Sequence, residues 1–335
     1  MKNANKFNLR VPQVLGGLFF VLLFLVATLV FGKIFLWPRS VNFGVTFSAP
    51  QARYLKLNAW ETYLSLMDDL GVKYIRVPVY WNETEKIRGQ YDWQETDYFM
   101  QEAAKRGVKI TLVIGAKVPR WPECHLPAFI QDEIGTPAYG DDLVGFLETT
   151  VERYKDSPAL LRYQVENEPL FPFGLCPPPD LSLLKREIEA VRLTDPTHDI
   201  QLTVSGESEP WLDLAKSADV LGVSLYRVVW NKHIGPVVYP HSAAWYAVER
   251  QTIALWVKQT IISELQAEPW FDGGNMPEDL AKAYTAFPAE RLRDHVAFAK
   301  RTGFSEVYLW GVEWWYFLKA HGNSRLYDEA RTIFR

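Results

Sequence analysis

Eight short apolar segments alternate with helical patterns along this chain, and this alternation limits the possible folds more than any other feature. The segments are rich in β-branched and aromatic residues and lie at 41–47, 73–79, 109–115, 161–166, 200–206, 219–226, 259–264 and 306–311. Apolar strands that alternate with helices are typical of a parallel sheet covered by helices. Eight such units in one chain predict a closed (β/α)8 barrel.

The predicted helices lie between these segments, at 55–70, 94–106, 140–156, 181–194, 210–217, 242–256, 277–302 and 325–334. Three of them end on a glycine just before the next strand, at Gly71, Gly107 and Gly303. Glycine is common there because it readily takes the left-handed conformation that closes a helix. The first helix also has a start signal, with Asn58 as N-cap and Glu61 three residues later. No linker or repeat divides residues 40–335, so we expect one barrel domain.

The N-terminus forms a separate unit. Residues 14–32 contain no charged side chain, follow the basic residues Lys2, Lys6 and Arg10, and are long enough to cross a bilayer as a helix. No A-x-A-like cleavage site stands out, so the sequence favours an uncleaved transmembrane helix over a signal peptide. The basic flank predicts a cytoplasmic tail at 1–13 and an extracytoplasmic domain beyond the cell membrane.

The overall composition excludes several classes of function. The chain of 335 residues has a net charge of −4, so it lacks the basic surface that nucleic-acid binding requires. Its six histidines show no metal-ligand spacing, and neither a glycine-rich phosphate loop nor a G-x-S-x-G motif is present. We therefore expect no metal and no cofactor. The many aromatic residues, 13 Trp, 16 Tyr and 19 Phe, favour a sugar or apolar ligand.

Carboxylates follow two of the predicted strands. The fourth strand runs into Glu166-Asn167-Glu168-Pro169, and the seventh ends on Glu264. In a (β/α)8 barrel the C-terminal ends of all strands meet at one mouth, where the active sites of this fold lie. Two facing carboxylates are what retaining glycoside hydrolysis requires. A metal pair or a salt-bridge network could show the same spacing.

Residues from about 41 to 318 resemble the clan of retaining (β/α)8 glycosidases that includes the cellulase, mannanase and β-galactosidase families. The sequence Asn-Glu-Pro at 167–169 is similar to the clan's motif on strand four, and Ile-Ser-Glu at 262–264 is similar to its nucleophile position on strand seven. The resemblance implies that Glu168 is the acid/base, that Asn167 holds the sugar 2-hydroxyl and that Glu264 is the nucleophile.

Three further residues support the resemblance. Arg76 lies on the second strand, Tyr226 at the end of the sixth and Trp310 on the eighth. The resemblance implies that Arg76 and Tyr226 contact the nucleophile. It also implies that the ring of Trp310 forms the floor of the subsite at the bond being cut, where a flat ring matches the apolar face of a sugar.

Other acidic residues compete for the catalytic roles. Glu166 lies two residues before Glu168, so the two side chains would share one face of a regular strand; the resemblance favours Glu168. Glu268 belongs to a second Glu-Pro pair and is expected to shape the cleft. Two acids follow the fifth strand, Glu207 and Glu209. They either contact substrate, or cap a helix or lie in a solvated loop.

Further tryptophans and the two cysteines lie in loops after the strands. Trp81, Trp121 and Trp230 are predicted to line outer subsites, whereas Trp314 and Trp315 belong either to the cleft or to the core. A disulfide is predicted between the cysteines of two Pro-rich loops, with two free thiols as the alternative. These are Cys124 and Cys176.

The sequence therefore predicts a membrane-anchored retaining glycosidase that acts on β-linked glycans. Two other functions stay open at this point. The barrel could bind glycan at the cell surface without cutting it, or it could transfer sugars through the same covalent intermediate. The sequence does not specify the sugar, endo or exo action, or the oligomeric state.

Overall fold

Eight strands of the chain close into a parallel barrel. The computed structural model describes residues 16–24, 26, 40–231, 233–271 and 279–335. The barrel strands are β1 Asn42–Thr46, β2 Tyr74–Pro78, β3 Lys109–Ile114, β4 Leu160–Val165, β5 Asp199–Ser205, β6 Val220–Leu225, β9 Gln259–Gln266 and β10 Glu306–Trp310. They pair in chain order around the ring, and β10 closes it against β1. The predicted (β/α)8 barrel and all eight predicted strands are confirmed.

Helices follow the strands and cover the outside of the barrel. Asn58 caps the second of them as predicted, because its side chain accepts hydrogen bonds from the N–H groups of Trp60 and Glu61. The helices are Ala49–Tyr54, Ala59–Asp68, Trp81–Thr84, Gln94–Lys105, Pro137–Tyr154, Leu181–Thr194, Leu212–Ala215, Ala243–Thr252, Leu280–Ala286, Ala289–Thr302, Val312–Ala320 and Arg325–Ile333, with a 3-10 helix at Ala128–Glu133.

Several elements differ from the sequence prediction, including two short helices and a 3-10 helix that were not predicted, Ala49–Tyr54, Trp81–Thr84 and Ala128–Glu133. The helix Val312–Ala320 was not predicted because buried residues lie on nearly all of its sides. Such a helix shows no alternation of apolar and polar faces in its sequence. The sequence also did not predict the antiparallel hairpin between β6 and β9. It consists of β7 Val228–Asn231 and β8 Gly235–Val238. The helix predicted at 277–302 is two helices, since the chain breaks at Phe287 and restarts after Pro288.

The N-terminal end of the barrel interior is filled by packed side chains. The Tyr308 hydroxyl lies 3.1 Å from Thr111 Oγ1, and Arg162 forms a buried ion pair with Glu306. Gly44 leaves room for this packing, because an added Cβ would lie 2.8 Å from the Tyr308 ring. The open end of the barrel is therefore the opposite one, where the strands end.

The N-terminal segment is helical where it is described, at residues 16–24 and 26. Its apolar side chains from Leu18 to Leu23 are more than half exposed. Among the described residues, no helix combines the length and the apolar character needed to span a membrane. The predicted tail at 1–13 lies outside the described residues and the predicted anchor at 14–32 lies partly outside them, so both stay predictions.

Candidate active site

The side chains that follow the C-terminal ends of the barrel strands meet at the mouth of the barrel. Arg76 from β2, Asn167 beyond β4, Tyr226 beyond β6 and Glu264 in β9 form one hydrogen-bonded cluster. Glu168 lies beside this cluster, close enough for the charge of Glu264 to act on its carboxyl group. The structure thus brings five of the predicted site residues together.

Glu264 is held by a cation and a phenol. Arg76 Nη1 donates to its Oε1 at 2.7 Å, and the Tyr226 hydroxyl donates to its Oε2 at 2.9 Å. Both contacts orient the carboxylate. Burial and the charge of Glu264 raise the pKa of Tyr226 well above its ordinary value, so the phenol keeps the proton that it donates.

Arg76 organises the centre of the cluster. It is fully buried, and its hydrogen-bond partners lie on other barrel strands or just beyond the end of one. Its Nε donates to Gln164 Oε1 and its Nη2 donates to Asn167 Oδ1, both at 2.7 Å. Because Nη1 is bound to Glu264, one planar guanidinium fixes Asn167 and Glu264 relative to each other.

Glu168 has the opposite electrostatic environment. Its backbone N–H donates to Thr203 Oγ1 at 2.8 Å, and its carboxyl accepts a hydrogen bond from the Ser224 hydroxyl. Burial and then the charge of Glu264 raise the pKa of Glu168 well above its ordinary value. The mouth therefore contains one ion-paired carboxylate and one carboxyl group whose surroundings favour the protonated form.

Glu166 does not share the face of Glu168, contrary to the expectation for a regular strand. Both residues have positive φ, 57° and 46°, so the chain leaves strand geometry at Glu166. The Glu166 carboxyl accepts hydrogen bonds from the N–H groups of Ala116 and Lys117, at 2.7 and 2.6 Å. It also hydrogen-bonds to Glu187 on the helix Leu181–Thr194. Glu166 is therefore buried between strand ends and helix, away from the mouth.

Glu123 is a third carboxyl group in the cluster, and sequence reasoning missed it. Its Oε2 accepts a hydrogen bond of 3.1 Å from Asn167 Nδ2. Burial and then the charge of Glu264 raise the pKa of Glu123 to about 7. The only signal in the sequence was its position beside Cys124, in the loop after the third strand.

Trp310 lies in a stack of charged groups at the side of the mouth. Its Nε1 donates to Glu268 Oε1 at 2.7 Å, and the Arg120 guanidinium carbon lies 4.2 Å from its ring centroid. Arg120 also pairs with Glu268 and with the fully buried Glu313. Trp310 is 8% exposed, so only a small part of its ring faces the mouth. Glu268 connects Trp310 with Arg120 at this side of the mouth.

Trp81 does not reach the mouth, so the prediction that it lines an outer subsite is wrong. The chain enters a short helix at this residue, which turns the ring into the core. The ring is fully buried, stacks on Phe146 with centroids 5.4 Å apart and donates to Glu85 Oε2 at 2.7 Å. Trp121, by contrast, is 65% exposed and contacts the ring of Phe173 at a centroid distance of 6.3 Å.

The other three tryptophans named from the sequence lie in the core or on the hairpin. Trp314 and Trp315 are buried in the core, where Trp315 Nε1 donates to the backbone oxygen of Ala267 at 2.8 Å. Trp230 is half-buried on the hairpin strand β7. The burial of Trp314 and Trp315 matches the alternative that they belong to the core.

The two acids after the fifth strand bind the protein's own backbone. Glu207 accepts hydrogen bonds from the N–H of Tyr226, at 3.1 Å, and from the Tyr246 hydroxyl. Glu209 accepts one from the N–H of Ser205 at 2.7 Å. Burial raises the pKa of Glu207 to about 7. Both acids therefore bind backbone N–H groups at strand ends, and Glu207 supports the backbone that carries Tyr226.

A disulfide joins the two loops beside Glu123. Cys124 and Cys176 are bonded, with their Cα atoms 5.1 Å apart, so the predicted bridge is present in the structure. Gly174 in the second loop has φ of 90°, and an added Cβ would lie 2.6 Å from Glu123 Cβ. The two loops are therefore packed closely enough at this point to require glycine.

The acidic residues of the mouth do not form a metal site. Within the described ranges, no group of three or more His, Cys, Asp or Glu side chains is arranged to hold a metal ion. Three of the carboxylates, Glu264, Glu268 and Glu313, are paired instead with Arg76 or Arg120.

Comparison with known proteins adds a sequence match to this geometry. Residues 52–174 match the family model of glycoside hydrolase family 42, described as Beta-galactosidase. The chain resembles the (β/α)8 glycoside hydrolases. The matched region includes Arg76, Asn167 and Glu168 but ends before Tyr226 and Glu264.

Two relatives show the same partial match. The chain is 25% identical to the β-galactosidase Bga of Halorubrum lacusprofundi over 126 residues, which are 32% of this chain and 18% of the relative. It is 32% identical to a β-galactosidase of an Arthrobacter species over 122 residues, 31% of this chain and 18% of the relative. The match thus spans less than a fifth of either relative.

Solved structures resemble the chain over most of its length. The β-galactosidase from Marinomonas ef1 has a TM-score of 0.61 at 13% identity and covers 88% of this chain and 59% of its own. A GH5_18 structure from Streptomyces cattleya in complex with GlcNAc has a TM-score of 0.58 at 17% identity and covers 81% and 70%. At sequence identities this low, the structural similarity shows a common fold and no more.

Proposed function

We propose that this protein is a retaining glycoside hydrolase that cleaves β-glycosidic bonds in oligo- or polysaccharides. One observation carries the proposal: Glu264 is ion-paired with Arg76, while the nearby Glu168 is held in surroundings that favour its protonated form. Retaining glycosidases need one ionised carboxylate to attack and one protonated carboxyl to donate. The partial match to β-galactosidases supports the same chemistry.

In the first step, Glu264 attacks the anomeric carbon of the sugar. A bond forms between a carboxylate oxygen and that carbon, and the bond from the carbon to the leaving oxygen breaks. The proton of Glu168 moves to the leaving oxygen, so that the released group departs as an alcohol. Tyr226 and Arg76 orient the attacking carboxylate, and Asn167 lies beside them to bind a hydroxyl of the bound sugar.

In the second step, water releases the sugar. Glu168 has lost its proton and now accepts one from the water, whose oxygen bonds to the anomeric carbon. The bond from the sugar to Glu264 breaks, and both carboxyl groups return to their starting protonation states. Two inversions at the same carbon give net retention of configuration.

Turnover of aryl β-glycosides tests this proposal. The full chain, kept in detergent, is tested on aryl β-glucosides, galactosides, mannosides and xylosides, and proton NMR follows the first-formed sugar. We expect hydrolysis of at least one of them with the β-anomer released first. An α-anomer as the first product would contradict retention. A protein that binds glycans but turns over none of these substrates or the matching polysaccharides would support the surface-receptor function instead.

We also propose that residues 14–32 anchor the protein in the cell membrane and place the barrel outside the cytoplasm. The run of exposed apolar side chains from Leu18 to Leu23 supports this proposal, as does the bridge between Cys124 and Cys176, because disulfides persist in oxidising compartments. Membrane fractionation with N-terminal sequencing provides the test. A soluble mature protein that begins near Lys33 would contradict it.

A further inference from the structure

A row of aromatic rings leads away from Glu264 along one wall of the mouth. The aromatic row consists of Tyr226, Trp270, Phe173 and Trp121, and their successive ring centroids are 5.6, 6.2 and 6.3 Å apart. It begins at the candidate nucleophile, because the Tyr226 hydroxyl donates to Glu264. The row is therefore continuous with the candidate catalytic centre.

The outer part of this row is exposed to solvent. Trp121 is 65% exposed and Trp270 is 40% exposed. Leu175, two residues after Phe173, is 68% exposed. Residues 169–175, Pro-Leu-Phe-Pro-Phe-Gly-Leu, include no side chain that can form a hydrogen bond. A ligand that covers apolar surface removes that surface from water, which favours binding. A contiguous apolar surface beside a catalytic centre is typical of a ligand-binding wall.

The backbone holds this wall in place without a ligand. The N–H of Leu175 donates to the oxygen of Pro122 at 2.9 Å, next to the disulfide, so the loops that carry Trp121 and Phe173 are joined. Lys117 Nζ donates to the backbone oxygen of Phe171 at 2.7 Å. A preformed wall loses little conformational entropy when a ligand binds.

The aromatic row lies on the side of the mouth where the leaving group departs. Phe173 belongs to the loop that begins at Glu168, and the N–H of Phe171 donates to the backbone oxygen of Glu168 at 3.0 Å. The leaving oxygen has to lie within hydrogen-bond reach of the Glu168 carboxyl to receive its proton. A chain that extends outward from that oxygen passes along this loop.

We propose that the aromatic row binds the sugars on the leaving-group side of the cleaved bond, so that the substrate is a β-linked oligo- or polysaccharide. This inference rests on the proposed function. A pyranose presents an apolar face that packs against an aromatic ring and hydroxyl groups that accept hydrogen bonds. The indoles of Trp121 and Trp270 supply both apolar faces and N–H donors. A hydrocarbon chain would leave those donors unused.

Transfer of the glycosyl group to a second sugar tests the inference. It shows on which side of the cleaved bond the aromatic row lies and which ligand the row binds. Once an aryl glycoside has glycosylated Glu264, a second sugar can bind only on the leaving-group side. Its hydroxyl oxygen then bonds to the anomeric carbon, its proton passes to Glu168, and the bond to Glu264 breaks. We expect β-linked gluco-, manno- or galacto-oligosaccharides to act as acceptors for the wild type, and Trp121→Ala and Phe173→Ala to lower the transfer product about tenfold.

The matched control is Trp256→Ala. Trp256 is 53% exposed and lies three residues before the start of β9, at the opposite end of the barrel. This variant should transfer sugars like the wild type. Its hydrolysis of the aryl glycoside should also match that of the wild type. Normal transfer by both row variants would overturn the inference.

Binding measurements keep the inference separate from the proposed activity. Calorimetry with Glu264→Gln, which cannot form the covalent intermediate, should show oligosaccharide binding that tightens with chain length and that weakens about tenfold when Trp121→Ala is added. Such binding without any turnover by the wild type would support the aromatic row while contradicting the hydrolase. If only an octyl β-glycoside shows dependence on Trp121, the ligand is a hydrocarbon chain and the inference is wrong.

Discussion

The side-chain amide of Asn167 donates a 3.1 Å hydrogen bond to the carboxyl group of Glu123. The oxygen of the same amide accepts a hydrogen bond from Arg76, which pairs with Glu264. Glu123 is therefore connected to the candidate nucleophile through two side chains. Its charge also acts directly on Glu168 and raises the pKa of that group.

Replacing Glu123 should change the pH dependence of the reaction. The pKa of Glu123 is raised to about 7, so this carboxyl becomes ionised as the pH rises through that value. Its new charge helps Glu168 to keep the proton that the first step needs. Glu123→Gln carries no charge, so the basic limb of the kcat/KM profile on an aryl glycoside should move toward lower pH.

A distant acid serves as the control for this shift. The side chain of Glu152 is 65% exposed and pairs with Lys155 on the outer surface, so Glu152→Gln should leave the profile unchanged. A profile of Glu123→Gln that coincides with the wild type would show that Glu123 does not act on Glu168.

The carboxyl pair of Glu166 and Glu187 should make the fold less stable in alkali. Burial raises the pKa of Glu166 to about 7 and that of Glu187 well above its ordinary value. At pH values above the ordinary pKa of a glutamate, the folded chain therefore binds more protons than the unfolded chain. Its free energy of unfolding then falls as the pH rises toward neutrality. Glu187→Gln removes one of the charges while its amide can still donate to Glu166.

We therefore expect Glu187→Gln to be more stable than the wild type at about pH 8, by about 1 kcal/mol or about 2 °C in Tm. At about pH 5 the two proteins should unfold together. Calorimetry at both values provides the comparison, with the exposed Glu189→Gln on the same helix as control. Equal stability at both pH values would mean that the pair shares no proton.

The barrel could be predicted from the sequence because each strand carries its own signal. Each barrel strand after the first is an apolar run that follows a helix, and three of those helices end on a glycine with positive φ, Gly71, Gly107 and Gly303. Parallel barrels require no further pairing information, since neighbouring strands follow the chain order. The helix Val312–Ala320 was missed because residues 312–318 are all buried, which removes the amphipathic period.

The site was predicted where the residues lie in strands or directly after a strand end, and was missed where they lie farther into the loops. Arg76 and Glu264 are in strands, whose ends a barrel brings together. Glu123 and Arg120 are in the loop after β3 with positive φ, 73° and 89°, and no period predicts where such residues point. Trp81 was wrongly assigned for the same reason, since the chain turns into a helix directly after β2.

Replacing Arg76 by lysine should greatly reduce the activity. A lysine ammonium cannot reproduce the planar arrangement that binds Gln164, Asn167 and Glu264 together. We expect kcat/KM of Arg76→Lys on an aryl glycoside to fall at least about 100-fold, or about 3 kcal/mol. Arg153→Lys is the control, because Arg153 forms an ion pair with Asp97 at the surface. An active Arg76→Lys would mean that the guanidinium is not needed.

Removing the disulfide should destabilise the barrel. The bridge closes a loop of 52 residues between Cys124 and Cys176. The Cys124→Ala, Cys176→Ala double variant should lose about 3–4 kcal/mol of stability by urea unfolding. Mass spectrometry of the unreduced wild type should find neither thiol available to alkylation. Two alkylated thiols in exported protein would contradict the bridge.

The roles of the two glutamates predict different behaviour in two matched variants. Glu264→Gln lacks the attacking carboxylate, so it should form no covalent intermediate with any substrate. Glu168→Gln lacks the proton donor, which matters most for poor leaving groups, so it should lose nearly all activity on natural glycans. With an activated aryl glycoside it should still be glycosylated, and the intermediate should accumulate because no base remains to activate water.

Intact mass spectrometry of these two variants after mixing with an activated aryl β-glycoside tests the assignment of roles most directly. Glu168→Gln should gain the mass of one glycosyl group, and peptide mapping should place it on Glu264, while Glu264→Gln gains nothing. Glu166→Gln, whose side chain is buried away from the mouth, is the control and should turn over without accumulating the adduct. An adduct that accumulates in Glu166→Gln but not in Glu168→Gln, or one attached to a residue other than Glu264, would contradict the account.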